Sequence, residues 1–188
     1  LDALAIIVSQ AKPAVAISQI VRIDVTTYAL AAELNNQSPK NTLAAKFSVP
    51  FAIATTLLNG SSEVGSFTWA AVNNHAIQAL AKKVFVIEAK EMSAKLPDQR
   101  PAHVTITLTD GSALKAATQT NKGDWQDPYT VHELRQKYDS LTARLWTKSA
   151  SNKVYDEIMA LDEASSLSSL EQAITAADLP LKNGTGPI

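Results

Sequence analysis

Three side chains in the segment KNTLAAKFSVPFAIATTLLNG (residues 40–60) could do chemistry or position it: Lys46, Ser48 and Pro50. A proline inside a helix removes one backbone hydrogen bond and clashes with the carbonyl four residues earlier, which here belongs to Lys46. Two arrangements fit this spacing. Either one helix is kinked at Pro50, or a second helix starts there, with Ser48 as its N-cap and Pro50 in its first turn.

Both arrangements predict free backbone donors and the positive end of a helix dipole close to Lys46 and Ser48. Such an end attracts a carboxylate or a phosphate, so the spacing indicates a candidate anion site. The competing interpretation is a core helix with a lysine at its edge, because lysine stems often pack on apolar surface while the ammonium group stays in water. The residues by themselves leave both interpretations open.

The other groups that could do chemistry are isolated. His75, His103 and His132 have no carboxylate or nucleophile at a spacing that would form a catalytic pair. We therefore predict surface histidines rather than general bases. The three tryptophans are predicted to anchor the core or an interface.

Composition excludes several functional classes. The 188-residue chain is 46% hydrophobic and 19% charged, with a net charge of -1, which gives no electrostatic argument for nucleic-acid or membrane-surface binding. No apolar run reaches the roughly 20 residues of a membrane span. The chain has no cysteine, which excludes disulfides and thiolate nucleophiles and is compatible with a reducing cytoplasm, the predicted location. With only three scattered histidines, no metal site is expected.

Strands are predicted where apolar and polar residues alternate. In the segment AISQIVRIDVTTYAL, three apolar residues would face the core and three polar residues the solvent: Val21, Ile23 and Val25 against Arg22, Asp24 and Thr26. The segment KVFVIEA (residues 83–89) is a second predicted strand.

The clearest hairpin signal is HVTITLTDGSALKAATQ. A two-residue turn would pair Ile106 with the charged Lys115. A three-residue loop, residues 110–112, would instead pair Leu108 with Leu114 and keep one face of the hairpin apolar. We therefore predict the second register.

Helices are predicted from 3.6-residue periodicity and from cap signals. The first contains Leu4, Ile7 and Val8 and ends before Pro13. Five further segments carry helical signals: residues 40–60 ending at Asn59-Gly60, residues 73–83 capped by Asn73 or Asn74, a helix opened by the Thr130–Glu133 capping box, residues 151–163, and a helix containing Leu167, Leu170 and Ile174.

These elements predict an α+β fold, with a mostly antiparallel sheet of about four strands, helices on one face and additional C-terminal helices. We predict a domain over residues 1–148, followed by helices and a polar tail over residues 149–188. The chain opens on LDALAIIVSQ without a methionine or a capping residue, and we interpret it as the later part of a longer protein.

The order of the motifs resembles the C-terminal part of the MmgE/PrpD family, which includes 2-methylcitrate dehydratase, cis-aconitate decarboxylase and iminodisuccinate epimerase. No one motif is diagnostic, but the resemblance runs through essentially the whole chain in order. The motifs that carry it are AKFSVPFAIATTLLNG, SFTW, KKVFVIEA, PAHVTITLTDGS, NKGDWQDP and HELRQKYDSLTARLW.

The resemblance implies a two-part enzyme whose active site lies between a helical domain and an α+β lid, with this chain as the lid. The family acts on small di- and tricarboxylates without a metal or an organic cofactor. Its catalytic histidine and aspartate positions lie mainly in the helical domain, so no catalytic residue is expected in this chain. Of the family's functional positions, only the A-K-F-S stretch maps cleanly here, and it predicts Lys46 and Ser48 as substrate-binding residues. Some members have histidine in place of this lysine, so Lys46 is expected to bind a carboxylate rather than to transfer a proton.

The function predicted from the resemblance is that of the lid of a cofactor-independent lyase similar to 2-methylcitrate dehydratase. Without the helical domain, this chain alone is expected to be inactive. The expected partners are a small carboxylate substrate, an N-terminal helical domain of the same protein and a second copy in a homodimer. The alternatives are a non-catalytic α+β module for binding or assembly, and a family isomerase or decarboxylase. Because the first and last helices would pack on the helical domain, we also predict exposed apolar stripes and self-association of this chain.

Overall fold

The computed structural model describes residues 1–11 and 15–177. The chain divides into two compact units, Leu1–Pro128 and Tyr129–Ile188. Pro13 and the polar tail at the end of the chain, both named in the predictions above, lie outside the described residues.

The first unit contains seven α-helices and four strands among its described residues. They are α1 (Asp2–Gln10), β1 (Ile20–Thr27), α2 (Ala29–Ala32), α3 (Thr42–Lys46), α4 (Val49–Asn59), α5 (Trp69–Val72), α6 (His75–Ala81), β2 (Val84–Glu88), α7 (Lys90–Ser93), β3 (Ala102–Leu108) and β4 (Ala113–Thr118). The second unit contains α8 (Val131–Thr142), α9 (Lys148–Met159) and α10 (Ser168–Ala176).

The four strands form one sheet in the order β2-β1-β3-β4. β1 pairs with β2 in parallel, and the other two pairings are antiparallel. The sheet is therefore mixed and mostly antiparallel, and the predicted α+β fold class is confirmed.

One face of the sheet is covered by helices and the other is open. Ile23, Val84 and Ile106 are fully buried on the covered face, where they pack with α1, α4 and α6 in the main core. On the open face, the Arg22 guanidinium lies 3.9 Å from the centre of the Phe85 ring and is paired with Asp24. This alternation of buried and exposed positions is the pattern from which β1 was predicted.

The first residue of that pattern was assigned to the wrong side. The register of β1 against β3 shifts between Ile20 and Arg22, which marks a β-bulge. A bulge adds one residue to one strand and changes which side chains face inward. Ile20 is therefore 1% exposed, whereas Val21, predicted to face the core, is 51% exposed.

The hairpin has the predicted loop length but not the predicted register. Ile106 pairs with Leu114, because Leu108 N donates to Ser112 O at 2.9 Å and thereby closes a three-residue loop over residues 109–111. Gly111 lies at φ 83°, the left-handed position that such loops need. The observed pairing differs from the predicted one by two residues. Leu114 therefore stays on the core side of the hairpin, and only its partner changes from Leu108 to Ile106.

The second unit has a small core of its own, formed by Val154, Ala173 and Ala177 with Trp146 and Leu170 packed against it. The capping box at the start of α8 is confirmed: Glu133 N donates to Thr130 Oγ1 at 3.2 Å, and Thr130 N donates to Glu133 Oε2 at 2.7 Å. α9 begins at Lys148, before the predicted start at Ser151, because Thr147 caps it.

The structure places α8 in the second compact unit, while the predicted domains, residues 1–148 and 149–188, stay a prediction. Tyr138 of α8 donates its hydroxyl to Ser151 O of α9 at 2.8 Å, so α8 belongs with the helices that follow it rather than with residues 1–128. The exposed apolar stripes predicted on the first and last helices are found only on the last ones: Ile158 is 40% exposed and Ile174 46%, whereas Leu4 and Ile7 of α1 are buried in the core of the first unit. Self-association and packing on a helical domain stay predictions.

Candidate functional site

The structure decides between the two arrangements around Pro50. α3 ends at Lys46, and α4 starts at Val49 with Ser48 as its N-cap and Pro50 in its first turn. Proline is tolerated there because the first backbone donors of a helix have no intrahelical partner. At the other end, Gly60 at φ 74° closes α4, which confirms the predicted helix stop at Asn59-Gly60.

The expectation of free backbone donors at the start of α4 is wrong. Val49 N donates to Leu34 O at 2.8 Å, and Phe51 N donates to Ser48 Oγ at 3.0 Å. Ala52 N donates to Ser48 O at 2.9 Å, and Pro50 has no N–H to offer. Every donor of the first turn is therefore satisfied within the protein, and only the helix dipole and nearby side chains remain available to an anion.

Ser48 is part of this internal network. It is 1% exposed, and its hydroxyl donates to Asn36 O at 2.5 Å while it accepts from Phe51 N. These two hydrogen bonds attach the start of α4 to the loop that follows α2. The structure gives Ser48 the role of a buried cap, and its predicted contact with a substrate stays a prediction.

Lys46 has the opposite surroundings. It is exposed at the end of α3, and within the part of the chain that the structure describes, its ammonium group has no hydrogen-bond or ion-pair partner. Leu43 and Phe47, three residues before it and one after it, are 64% and 61% exposed. Residues three apart in a helix lie on one side of it, so α3 presents an exposed cation beside the exposed Leu43, and the exposed Phe47 follows as its C-cap.

This arrangement can bind but offers no machinery for proton transfer. An unpaired lysine ammonium group is a point charge that can bind a carboxylate, and exposed apolar groups beside it can exclude water from that contact. The histidines do not contribute: His75, His103 and His132 are all exposed at separate elements, as predicted. Among the described residues, no three histidine or acidic side chains gather closely enough to hold a metal ion.

Two further polar arrangements were not found from the sequence. Trp125 is 86% exposed and lines an open cleft with Asp98 and Arg100, although the tryptophans were expected to be anchors of a core or an interface. Of the other two, Trp146 joins the core of the second unit and Trp69 is exposed. Trp125 lies in a tight loop, which is closed by a hydrogen bond from Gly123 N to Asp127 O at 2.7 Å.

The second arrangement is the hairpin loop. Ser112 donates to the Asp110 carboxylate from its backbone nitrogen at 2.9 Å and from its hydroxyl at 2.6 Å. The side-chain bond, followed by the backbone bond, lowers the pKa of Asp110 below its ordinary value. Both groups are exposed at the tip of the loop, so this carboxylate stabilises the turn.

Comparison with known proteins identifies one family. Residues 1–163 match the MmgE/PrpD C-terminal domain. Mouse (Mus musculus) cis-aconitate decarboxylase is 25% identical to the chain over 141 residues, which is 75% of this chain and 29% of the mouse protein. The chain thus spans less than a third of the length of that relative. No helix in the described residues has the length and apolar character needed to cross a membrane.

Proposed function

Because the chain belongs to the MmgE/PrpD family, we propose that it forms the α+β lid of a cofactor-independent lyase that acts on a small di- or tricarboxylate. The most specific form of this proposal is a hydro-lyase similar to 2-methylcitrate dehydratase. The groups that transfer protons would belong to a helical domain outside this chain. The lid would bind and orient the substrate and exclude water from it.

The observation that carries the proposal is the cation of Lys46, which has no hydrogen-bond or ion-pair partner in residues 1–11 and 15–177. The other exposed groups of that described part form no catalytic set. Lys46 was predicted to bind a substrate carboxylate. Its ammonium group is exposed and has no hydrogen-bond or ion-pair partner among the described residues, which supports that role. A partner-free ammonium group can make a charge-assisted hydrogen bond to a carboxylate without first breaking an ion pair. Its flanking residues, Leu43 and Phe47, would then shield the contact from solvent.

The wider setting belongs to the same proposal. The complete protein would be a cytoplasmic homodimer in which a helical N-terminal domain supplies the catalytic residues. The exposed side chains of α1 and α8, which include Val8, Leu134 and Leu141, provide apolar surface on which such a domain or a second copy could pack.

The test is a substrate panel with the full-length protein: citrate, 2-methylcitrate, cis-aconitate and iminodisuccinate. Lys46→Ala should raise KM for the accepted acid by about ten- to a hundredfold, the effect of losing one charge-assisted hydrogen bond. The matched control is Lys90→Ala, which removes another exposed lysine, from α7. If Lys46→Ala leaves both KM and kcat at the values of the control, the proposed role of Lys46 is refuted.

The similarity to a cis-aconitate decarboxylase favours a second candidate reaction, loss of CO2 from an unsaturated tricarboxylate. The same panel separates the two, because a dehydratase releases water from 2-methylcitrate or citrate, while a decarboxylase releases CO2 from cis-aconitate. Turnover of none of the four acids by the intact protein would support the non-catalytic module instead.

A further inference from the structure

The last residue of α4 and its cap form an Asn-Gly pair, Asn59-Gly60. Both residues are exposed, and Gly60 offers no Cβ to hinder a reaction at its nitrogen. This pair can deamidate. The backbone nitrogen of Gly60 loses its proton and bonds to Cγ of Asn59, the Cγ–Nδ2 bond breaks, and ammonia leaves with that proton. Water then opens the resulting succinimide at either carbonyl and yields aspartate or isoaspartate.

The native structure holds the nucleophile of this reaction away from its target. Gly60 N donates to Thr56 O at 2.9 Å. Since Asn59 is helical, its backbone directs that N–H along the helix axis towards the preceding turn rather than towards its own side chain. The Gly60 nitrogen can attack Cγ only after this hydrogen bond is broken and the Asn59 backbone has left the helical conformation.

The leaving group is held as well. Asn59 Nδ2 donates to Thr55 Oγ1 at 2.9 Å, and Thr55 Oγ1 donates to Ser66 O at 3.3 Å. Thr55 is fully buried, so this chain of two hydrogen bonds fixes the Asn59 side chain to the interior. Reacting nitrogen and leaving group are each restrained by a separate, observed contact.

We propose that Asn59 is a deamidation site gated by opening of the last turn of α4. Deamidation occurs only from the opened turn, and its product prevents normal closure. Aspartate at this position has no Nδ2 donor for Thr55, and its negative charge lies at the negative end of the helix dipole. Isoaspartate adds a methylene to the backbone immediately before the cap. The modification therefore converts a reversible local opening into a permanent one.

The first experiment compares the protein, folded and in concentrated urea, at the same mildly alkaline pH, with each site followed by peptide-resolved mass spectrometry. The chain contains a second pair, Asn183-Gly184, which lies outside the described residues and must be quantified separately. We expect Asn59 to deamidate at least about tenfold more slowly in the folded protein, the protection given by a local opening equilibrium of that size. Equal rates in the two states would overturn the proposal.

A pair of variants tests the role of the side-chain contact. Thr55→Val removes the hydroxyl with little change of shape and should accelerate deamidation at Asn59 several-fold, while Thr55→Ser keeps the hydroxyl and should stay near the original rate. Acceleration at Asn59 in both variants, or in neither, would show that the hydrogen bond is not the restraint. If Thr55→Val does not fold, hydrogen exchange of the Gly60 amide in the unmodified protein replaces it. Exchange slower than in urea supports the gate, and exchange at the unfolded rate overturns it.

Discussion

Replacing Ser48 by alanine should destabilise the first unit far more than replacing any neighbouring exposed residue. The change removes the acceptor for Phe51 N and the donor to Asn36 O at once. Losing an N-cap costs about 1 kcal/mol. Losing the second hydrogen bond at a site that is 1% exposed costs about another 1 kcal/mol, and more where a buried donor is left without a partner. We therefore expect a loss of about 2–3 kcal/mol.

The assay is urea unfolding followed by far-ultraviolet circular dichroism, with the loss calculated from the midpoint and slope. Thr68→Ala is the matched control, because Thr68 is also an N-cap of this unit but is exposed and accepts a single long hydrogen bond from Ala71 N at 3.3 Å. That control should lose about 1 kcal/mol or less. A loss for Ser48→Ala no larger than for Thr68→Ala would refute the reasoning that joins the two contacts of Ser48.

Three further predictions follow from the sheet. Ile20→Ala should cost about 3 kcal/mol and Val21→Ala less than about 0.5 kcal/mol in urea unfolding, because the bulge buries the first and exposes the second; equal losses would contradict the bulge. Gly111→Ala should cost about 1 kcal/mol through its left-handed backbone alone, since no atom lies near the added Cβ, and an unchanged midpoint would contradict this. Finally, Asp110 has a lowered pKa in the folded protein, so its carboxylate stabilises the fold at pH values above the ordinary pKa of aspartate. This contribution to stability is lost as the pH falls through the lowered pKa. Ser112→Ala should remove the side-chain part of this contribution and keep the backbone part, so the melting temperatures of the two proteins should converge at low pH, and a constant difference would count against it.

Elements with a local chemical signal were predicted well from the sequence. Ser48, Asn74 and Thr130 were all identified as helix caps, or as one of two candidates, and each accepts a hydrogen bond from the first turn of its helix. Capping needs only a short side chain at the right place before an apolar run. The alternation of apolar and polar residues likewise predicted the buried face at Ile23 and Val25, though not at Val21, because side chains of a strand point to opposite sides in turn.

The errors in the sheet have a shared physical origin. The bulge at Val21 and the two-residue shift of the hairpin depend on how one strand pairs with another, and alternation within a strand carries no information on its partner. The hairpin loop closed around Gly111 because a left-handed residue ends this kind of turn. The signal was present in the sequence, since glycine was the one residue of the loop suited to that position.

The position of the candidate site on a helix start was predicted correctly, but the free backbone donors expected there were not found. The site can therefore bind an anion through side chains but not through those donors. Lys46, Ser48 and Pro50 were grouped correctly around a helix start, but the free donors that would bind an anion are absent from that start, because Leu34 O and the Ser48 hydroxyl occupy them. Periodicity could not reveal this, since Leu34 reaches the junction from a separate loop.

The consequence is a division of roles within three residues of chain. The two hydrogen bonds of the Ser48 hydroxyl hold α4 to the loop after α2. They thereby set the point at which α3 ends. The Lys46 ammonium group makes no hydrogen bond or ion pair with the described residues, so it remains available for binding. Substitutions at the two positions should therefore separate cleanly: those at Ser48 should change stability, and those at Lys46 should change KM in the complete enzyme. A carboxylate site that depended on the backbone of α4 would couple the two effects, and the occupied donors argue against that coupling.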